Sequence, residues 1–222
     1  TKKIGLIGHS EGGLIAPIVA SRNNDIAFVV SLAGTGVTGS EVILTQSWEI
    51  AKQMGAAEST LKFNDTISKI AYEVIKAETD TKQIKLKIEE NLKTYKESIA
   101  SSPLAFYIND QIISKFTSIG ANNWLTTFIK TNPQDYYSKT TCPVLALNGS
   151  KDLQVLPKLN LNGIEQALKK ANNNDVTIKE LENLNHLFQT SETGNPSEYG
   201  ILEETFSPIA LEIIKDWILE RF

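Results

Sequence analysis

Cysteine, histidine and methionine are nearly missing from this chain of 222 residues, which has one cysteine, Cys142, one methionine and two histidines, His9 and His186. A single cysteine excludes any disulfide within the chain and any cysteine-rich metal site, so no metal is expected. Cys142 stands beside Pro143 at the start of an apolar run and reads as a small residue packed at a strand end. No apolar stretch reaches the roughly 20 residues that a membrane-spanning helix needs, so a soluble chain without a membrane partner is expected. The formal charge is only −4 and the basic residues are dispersed, which argues against a nucleic-acid surface or a polybasic anchor. Repeats and low-complexity tracts are lacking, and these residues are not expected to include a signal peptide. The first residues already belong to a strand, so an N-terminal region is expected to be missing and the compartment is not readable. With 41% hydrophobic residues, one sizeable core is expected, an α/β domain with a helical elaboration.

What the chain does have is the stretch Lys3 to Val19, K-I-G-L-I-G-H-S-E-G-G-L-I-A-P-I-V. A short apolar run turns through Gly8-His9-Ser10-Glu11-Gly12 and continues at helical spacing, which predicts strand, tight turn and helix. In that context G-x-S-x-G is a nucleophile elbow, with Gly8 and Gly12 removing Cβ atoms that would clash where strand and helix approach. Ser10 is the candidate nucleophile. The helix N-terminus behind it offers backbone N–H groups to a developing oxyanion, one of them from Glu11.

Further along, Ile26 to Ala33 reads as a second buried strand and completes a βαβ unit with the elbow helix, which carries Pro17. From about residue 40 to 137 the pattern changes to long amphipathic helices. One carries Val42, Ile43, Trp48, Ala51 and Met54; the next carries Phe63, Ile67, Ile70, Ala71, Val74 and Ile75. Ile84, Ile88, Leu92, Tyr95 and Ile99 follow at spacings of four, four, three and four, an apolar stripe on one helix face. Two shorter helices are expected after Pro103, and the aromatics Phe106, Tyr107, Phe116, Trp124, Phe128, Tyr136 and Tyr137 read mostly as core. Parallel strands are then predicted at 143–148 and 176–181, with a helix at 161–171 between them. A closing helix starts at Pro208, with Ile209, Ile213, Ile214, Trp217 and Ile218 inward. With the first two strands placed at 3–8 and 27–33, the core comprises residues 1–39 and 138–222, and 40–137 is a helical insertion.

Chemistry narrows to few residues. His9 lies inside the elbow, its ring on the wrong side of the turn to deprotonate Ser10, so His186 is the remaining base. It sits on a loop after the fourth strand. Asp152, directly after the third strand, faces the same rim and can accept the His186 N–H, with Glu182 and Asp175 as distant alternatives.

At G-H-S-E-G-G, L-N-G-S-K-D-L-Q-V and L-N-H-L-F-Q the chain resembles the α/β-hydrolase superfamily, in particular bacterial esterases of the serine-aminopeptidase-like and dienelactone-hydrolase-like branch. The resemblance implies the last four strands of an eight-stranded fold, with residues 40–137 as a helical cap over the site. It also implies hydrolysis of a carboxylic ester through an acyl-serine intermediate, without cofactor. In the family four strands precede the elbow, and the loop after the third supplies the second oxyanion N–H. Here the elbow strand begins at residue 4, so that half of the hole is expected to be absent. The partner expected is a small-molecule ester, with self-association or pairing with a missing segment through the first strand. The rival readings are a peptidase of the same fold and a non-catalytic truncated module.

Overall fold

A computed structural model describes residues 4–222 of the chain, and Lys3, placed in the first strand by the sequence, lies outside the described residues. The chain divides into two compact units, Thr1–Thr38 with Asn132–Phe222, and Gly39–Thr131. It begins with β1 (Ile4–His9), α1 (Glu11–Ala20) and β2 (Ile26–Leu32). Five helices make the second unit: α2 (Gly39–Gln53), α3 (Glu58–Ala77), α4 (Thr81–Ser98), α5 (Asp110–Ala121) and α6 (Asn123–Lys130). The chain then runs through α7 (Gln134–Tyr137), β3 (Val144–Gly149), α8 (Pro157–Lys170), β4 (Val176–Leu181) and α9 (Pro208–Leu219).

The four strands pair in the order β1-β2-β3-β4 and every pair is parallel. Side chains alternate across a strand, so each interior strand feeds two cores. On one face Val29, Val144 and Ala146 pack with Ala16 and Ala20 of α1, Ile164 and Leu168 of α8, and Tyr137. On the other, Val30, Leu32, Leu145 and Leu147 pack with Ala210 and Trp217 of α9 and with Phe188. A sheet covered on both faces demands apolar residues at consecutive positions. The run Val144-Leu145-Ala146-Leu147 meets that demand, and all four are fully buried. Among the described residues β1 and β4 are the edge strands of this sheet, and Ile4 and Ile7 of β1 are exposed.

The helical unit has its own core, built from Phe63, Ile67 and Ile75 of α3, Ile84, Ile88 and Leu92 of α4, and Phe116 and Ile129. Helices α4, α5 and α6 start where the sequence provides side-chain caps. Asp80 accepts from Lys82 N (2.7 Å) and Gln83 N (3.0 Å), Asn109 from Ile112 N (3.1 Å), and Asn122 from Leu125 N (2.9 Å). Gly39 N donates to Thr131 O at 3.0 Å, so the two ends of the unit meet.

Several sequence expectations need correction. Phe106, Tyr107 and Trp124 are exposed, because the 3-10 turn Pro103–Tyr107 buries none of its residues and Trp124 lies outward, stacked on Phe128. Phe116 and Tyr137 are core residues. Met54 is exposed, one residue beyond the end of α2. Ile209 is also exposed, since Ala210 and Trp217 define the buried line of α9 and Ile209 falls off it. Helix α8 starts at Pro157, four residues before the expected start, with proline at the first helical position where its missing N–H costs nothing. Among the described residues no helix is long and apolar enough to cross a membrane.

Candidate active site

Ser10 joins β1 to α1 with φ 56° and ψ −115°. Such a conformation costs a non-glycine residue about 1–3 kcal/mol and persists only where the surroundings impose it. Here Ser10 N donates to Leu32 O (2.8 Å), and Ser10 O accepts from Gly13 N (2.9 Å). Gly8 is required as expected, because a Cβ there would stand 2.0 Å from Gly12 O. Gly12 is not. A Cβ at Gly12 would meet nothing within 4 Å, whereas one at Gly13 would lie 2.6 Å from the Cα of Gly34. The close approach is between α1 and the loop leaving β2, so the second obligatory glycine is Gly13. Glu11 opens α1, and helix-start N–H groups have no acceptor within their own helix.

Asp152 follows β3 and is 1% exposed. Its Oδ1 accepts from Gln154 N (2.8 Å) and Val155 N (2.9 Å), which leaves Oδ2 aimed at His186 Nδ1, 2.8 Å away. An ionised carboxylate only accepts, so Nδ1–H donates to it and the lone pair of a neutral His186 falls on Nε2. The two rival acids are elsewhere. Asp175 is exposed and paired with Arg221 through Nε (3.0 Å) and Nη2 (2.9 Å), and Glu182 is exposed.

His186 is buried on a turn that Asn185 braces. Asn185 Oδ1 accepts from Leu187 N (2.9 Å) and Gln189 N (3.0 Å), and its Nδ2 donates to Gln189 Oε1 (3.0 Å). His9 holds the same turn from the other side: its Nε2–H donates to His186 O at 2.7 Å, and the two rings lie 4.8 Å apart. Partial burial lowers the pKa of His9; the bond to the His186 carbonyl and the Asp152 charge oppose this, and repulsion from His186 adds to it. With Nε2–H held by that carbonyl, the lone pair of a neutral His9 falls on Nδ1. Ser10 Oγ and His186 Nε2 are not hydrogen-bonded to each other, and bonds of this kind commonly close only in the substrate complex.

Strained backbone collects at the carboxyl ends of the strands. Besides Ser10, Ala33 after β2 (φ 48°) and Asn183 (φ 62°) and Phe188 (φ 60°) after β4 have positive φ, as does Asn172 (φ 53°) beyond α8. Thr35, on the loop after β2, has a buried Oγ1 without a partner among the described residues. Sequence reasoning missed the positioning by His9 and Asn185, and it missed Thr35. Asn185 was visible as the residue before His186, a type that binds backbone N–H groups two residues on. Among the described residues no three His, Cys, Asp or Glu side chains gather as a metal site.

A serine on a strained strand-to-helix turn, with a buried carboxylate–imidazole pair supplied after β3 and β4 of a parallel sheet flanked by helices, is the arrangement of the α/β-hydrolase fold. A family model described as BAAT / Acyl-CoA thioester hydrolase C terminal matches residues 1–100. No curated protein matches the chain. Among solved structures it is similar to an esterase of Pyrococcus furiosus at 14% identity and a TM-score of 0.41, over 82% of this chain and 45% of that one. It is also similar to the acylaminoacyl peptidase of Pyrococcus horikoshii, at 14% identity and a TM-score of 0.39, over 83% of this chain and 20% of that one. A third similarity is to an enol-lactonase from Burkholderia xenovorans, at 13% identity and a TM-score of 0.42, over 96% of this chain and 64% of that one. The chain thus spans less than half the length of the first two.

Proposed function

We propose that Ser10, His186 and Asp152 act as a catalytic triad and that the protein is a serine hydrolase of small or medium acyl esters. The observation that carries this is the 2.8 Å bond from His186 Nδ1 to buried Asp152, which frees Nε2 to work as a base. In this reading His186 Nε2 takes the proton of Ser10 Oγ as that oxygen attacks the acyl carbon. The tetrahedral oxyanion is received by the N–H of Glu11 at the start of α1. His186 then protonates the departing alcohol, leaving an acyl-Ser10. A water, deprotonated by His186, attacks the acyl carbon and releases the acid and the free serine. The family-model match at residues 1–100 supports testing thioesters beside oxygen esters, since a thiolate leaves by the same route.

Turnover of p-nitrophenyl acyl esters of increasing length, of acyl thioesters and of aminoacyl-naphthylamides tests the reading. Ester or thioester cleavage that disappears in Ser10→Ala is expected. Faster turnover of the amides would replace it with a peptidase, and no turnover of any of the three with a binding module.

A further inference from the structure

Helices α2, α3, α5 and α6 line a partly open cavity of about 300 Å³, and all its lining residues belong to the helical unit. Its wall is largely apolar, with Ile43, Leu44, Trp48, Ile67, Phe116 and Leu125 contributing. Tyr72 of α3 is different. It lines this cavity and is 95% buried, being 5% exposed, and its hydroxyl has no hydrogen-bond partner among the described residues. Its oxygen keeps some accessible surface, so a molecule in the cavity can reach it as an acceptor. Burial also pushes the Tyr72 pKa up to about 12, so the group stays a neutral donor. Two charged residues of the wall are already engaged: Asp65 pairs with Lys69 at 2.7 Å, and the Lys115 ammonium lies 5.8 Å from the centre of the Phe116 ring.

We infer that this cavity binds a neutral, mainly alkyl molecule with one carbonyl oxygen, such as a ketone, ester or lactone, whose oxygen accepts from Tyr72 Oη. At roughly 30 Å³ per water-sized group, the space suits a molecule of about ten heavy atoms. A carboxylate is disfavoured, since burying an ionised group against an apolar wall costs more than one phenol returns. The wall residues lie between positions 43 and 125, so this site does not rest on the acyl-transfer reading.

The test titrates the full chain with 2-octanone, a ketone that no hydrolase cleaves, by calorimetry and by methyl NMR of isoleucine-labelled protein. Saturable binding is expected, with the largest shifts at Ile43 and Ile67. Tyr72→Phe should weaken it about tenfold, the usual worth of one neutral hydrogen bond. Ala51→Trp and Ser68→Phe, which fill the cavity from partly exposed positions, should abolish it while a thermal melt shows them folded. No saturable binding, or undiminished binding in the filled variants, would overturn the site, and equal affinity in Tyr72→Phe would overturn the anchor. If neither filled variant folds, the wild-type shifts decide, and shifts confined to residues outside 39–131 refute the proposal.

Discussion

Replacing the adjacent glycines Gly12 and Gly13 by alanine, one at a time, should change stability in opposite directions. A Cβ at Gly12 enters open space in the first turn of α1, so the substitution only stiffens the unfolded chain and improves the helix. That is worth about 0.5–1 kcal/mol. A Cβ at Gly13 would lie 2.6 Å from Gly34 Cα, 3.0 Å from Ser31 Oγ and 3.2 Å from Gly34 N. Carbon atoms rest at about 3.5–4.0 Å, so α1 and the loop after β2 must separate by about 1 Å. Overpacking of this kind costs about 1–3 kcal/mol, and after the helix gain a net loss of about 1–2 kcal/mol remains. The assay is urea unfolding followed by the fluorescence of Trp217, in a background carrying Trp48→Phe and Trp124→Phe. Trp217 is buried, donates to Thr177 Oγ1 at 2.9 Å and carries the Arg221 guanidinium 4.3 Å from its ring centre, so it reports the sheet unit. Gly12→Ala should raise the midpoint and Gly13→Ala lower it, by several tenths of a molar or more at about 1–3 kcal/mol per molar urea. Shifts of the same sign, or a Gly13→Ala protein as stable as its parent, would refute the reasoning.

Asp152→Asn should lower kcat on p-nitrophenyl esters by about 10³–10⁴, because the amide fixes His186 in the wrong tautomer, while Glu182→Gln and Asp175→Asn leave the rate unchanged. His9 has a folded pKa below its ordinary 6.5, so between the two values the unfolded chain binds more protons. Stability should therefore be complete above about 6.5 and fall as the pH drops through that window, and His9→Gln should flatten this loss in urea midpoints measured from about pH 5 to 8. Tyr137→Phe should cost about 1 kcal/mol in the same unfolding assay, since the fully buried Tyr137 hydroxyl donates to Gly13 O at 3.1 Å and meets Ser31 Oγ at 3.1 Å.

The sheet was legible because consecutive apolar residues such as Val144 to Leu147 fit a strand covered on both faces, and the order serine, aspartate, histidine, after β1, β3 and β4, pointed to Ser10, Asp152 and His186 as candidates. What stayed hidden depends on distant partners. Gly12 and Gly13 are equivalent by composition, and only Gly34, brought close by the βαβ turn, tells them apart. The bond between His9 and the His186 carbonyl spans 177 positions, and no local pattern announces it. Phe106, Tyr107 and Trp124 are apolar by type, yet on a short 3-10 turn or at a helix start the face they occupy is set by packing that periodicity does not report. Tyr72 fits the α3 stripe as one more buried residue, and only the surrounding helices leave its hydroxyl facing no acceptor.

The claim that Ser10 is a nucleophile activated by His186 is tested most directly by treating the folded chain with a fluorophosphonate and following its intact mass, with peptide mapping of the product. A single addition at Ser10 is predicted, lost in Ser10→Ala and strongly slowed in His186→Ala and Asp152→Asn. An unlabelled wild-type chain, a label on another residue, or labelling of Ser10 at the same rate without His186 would contradict it.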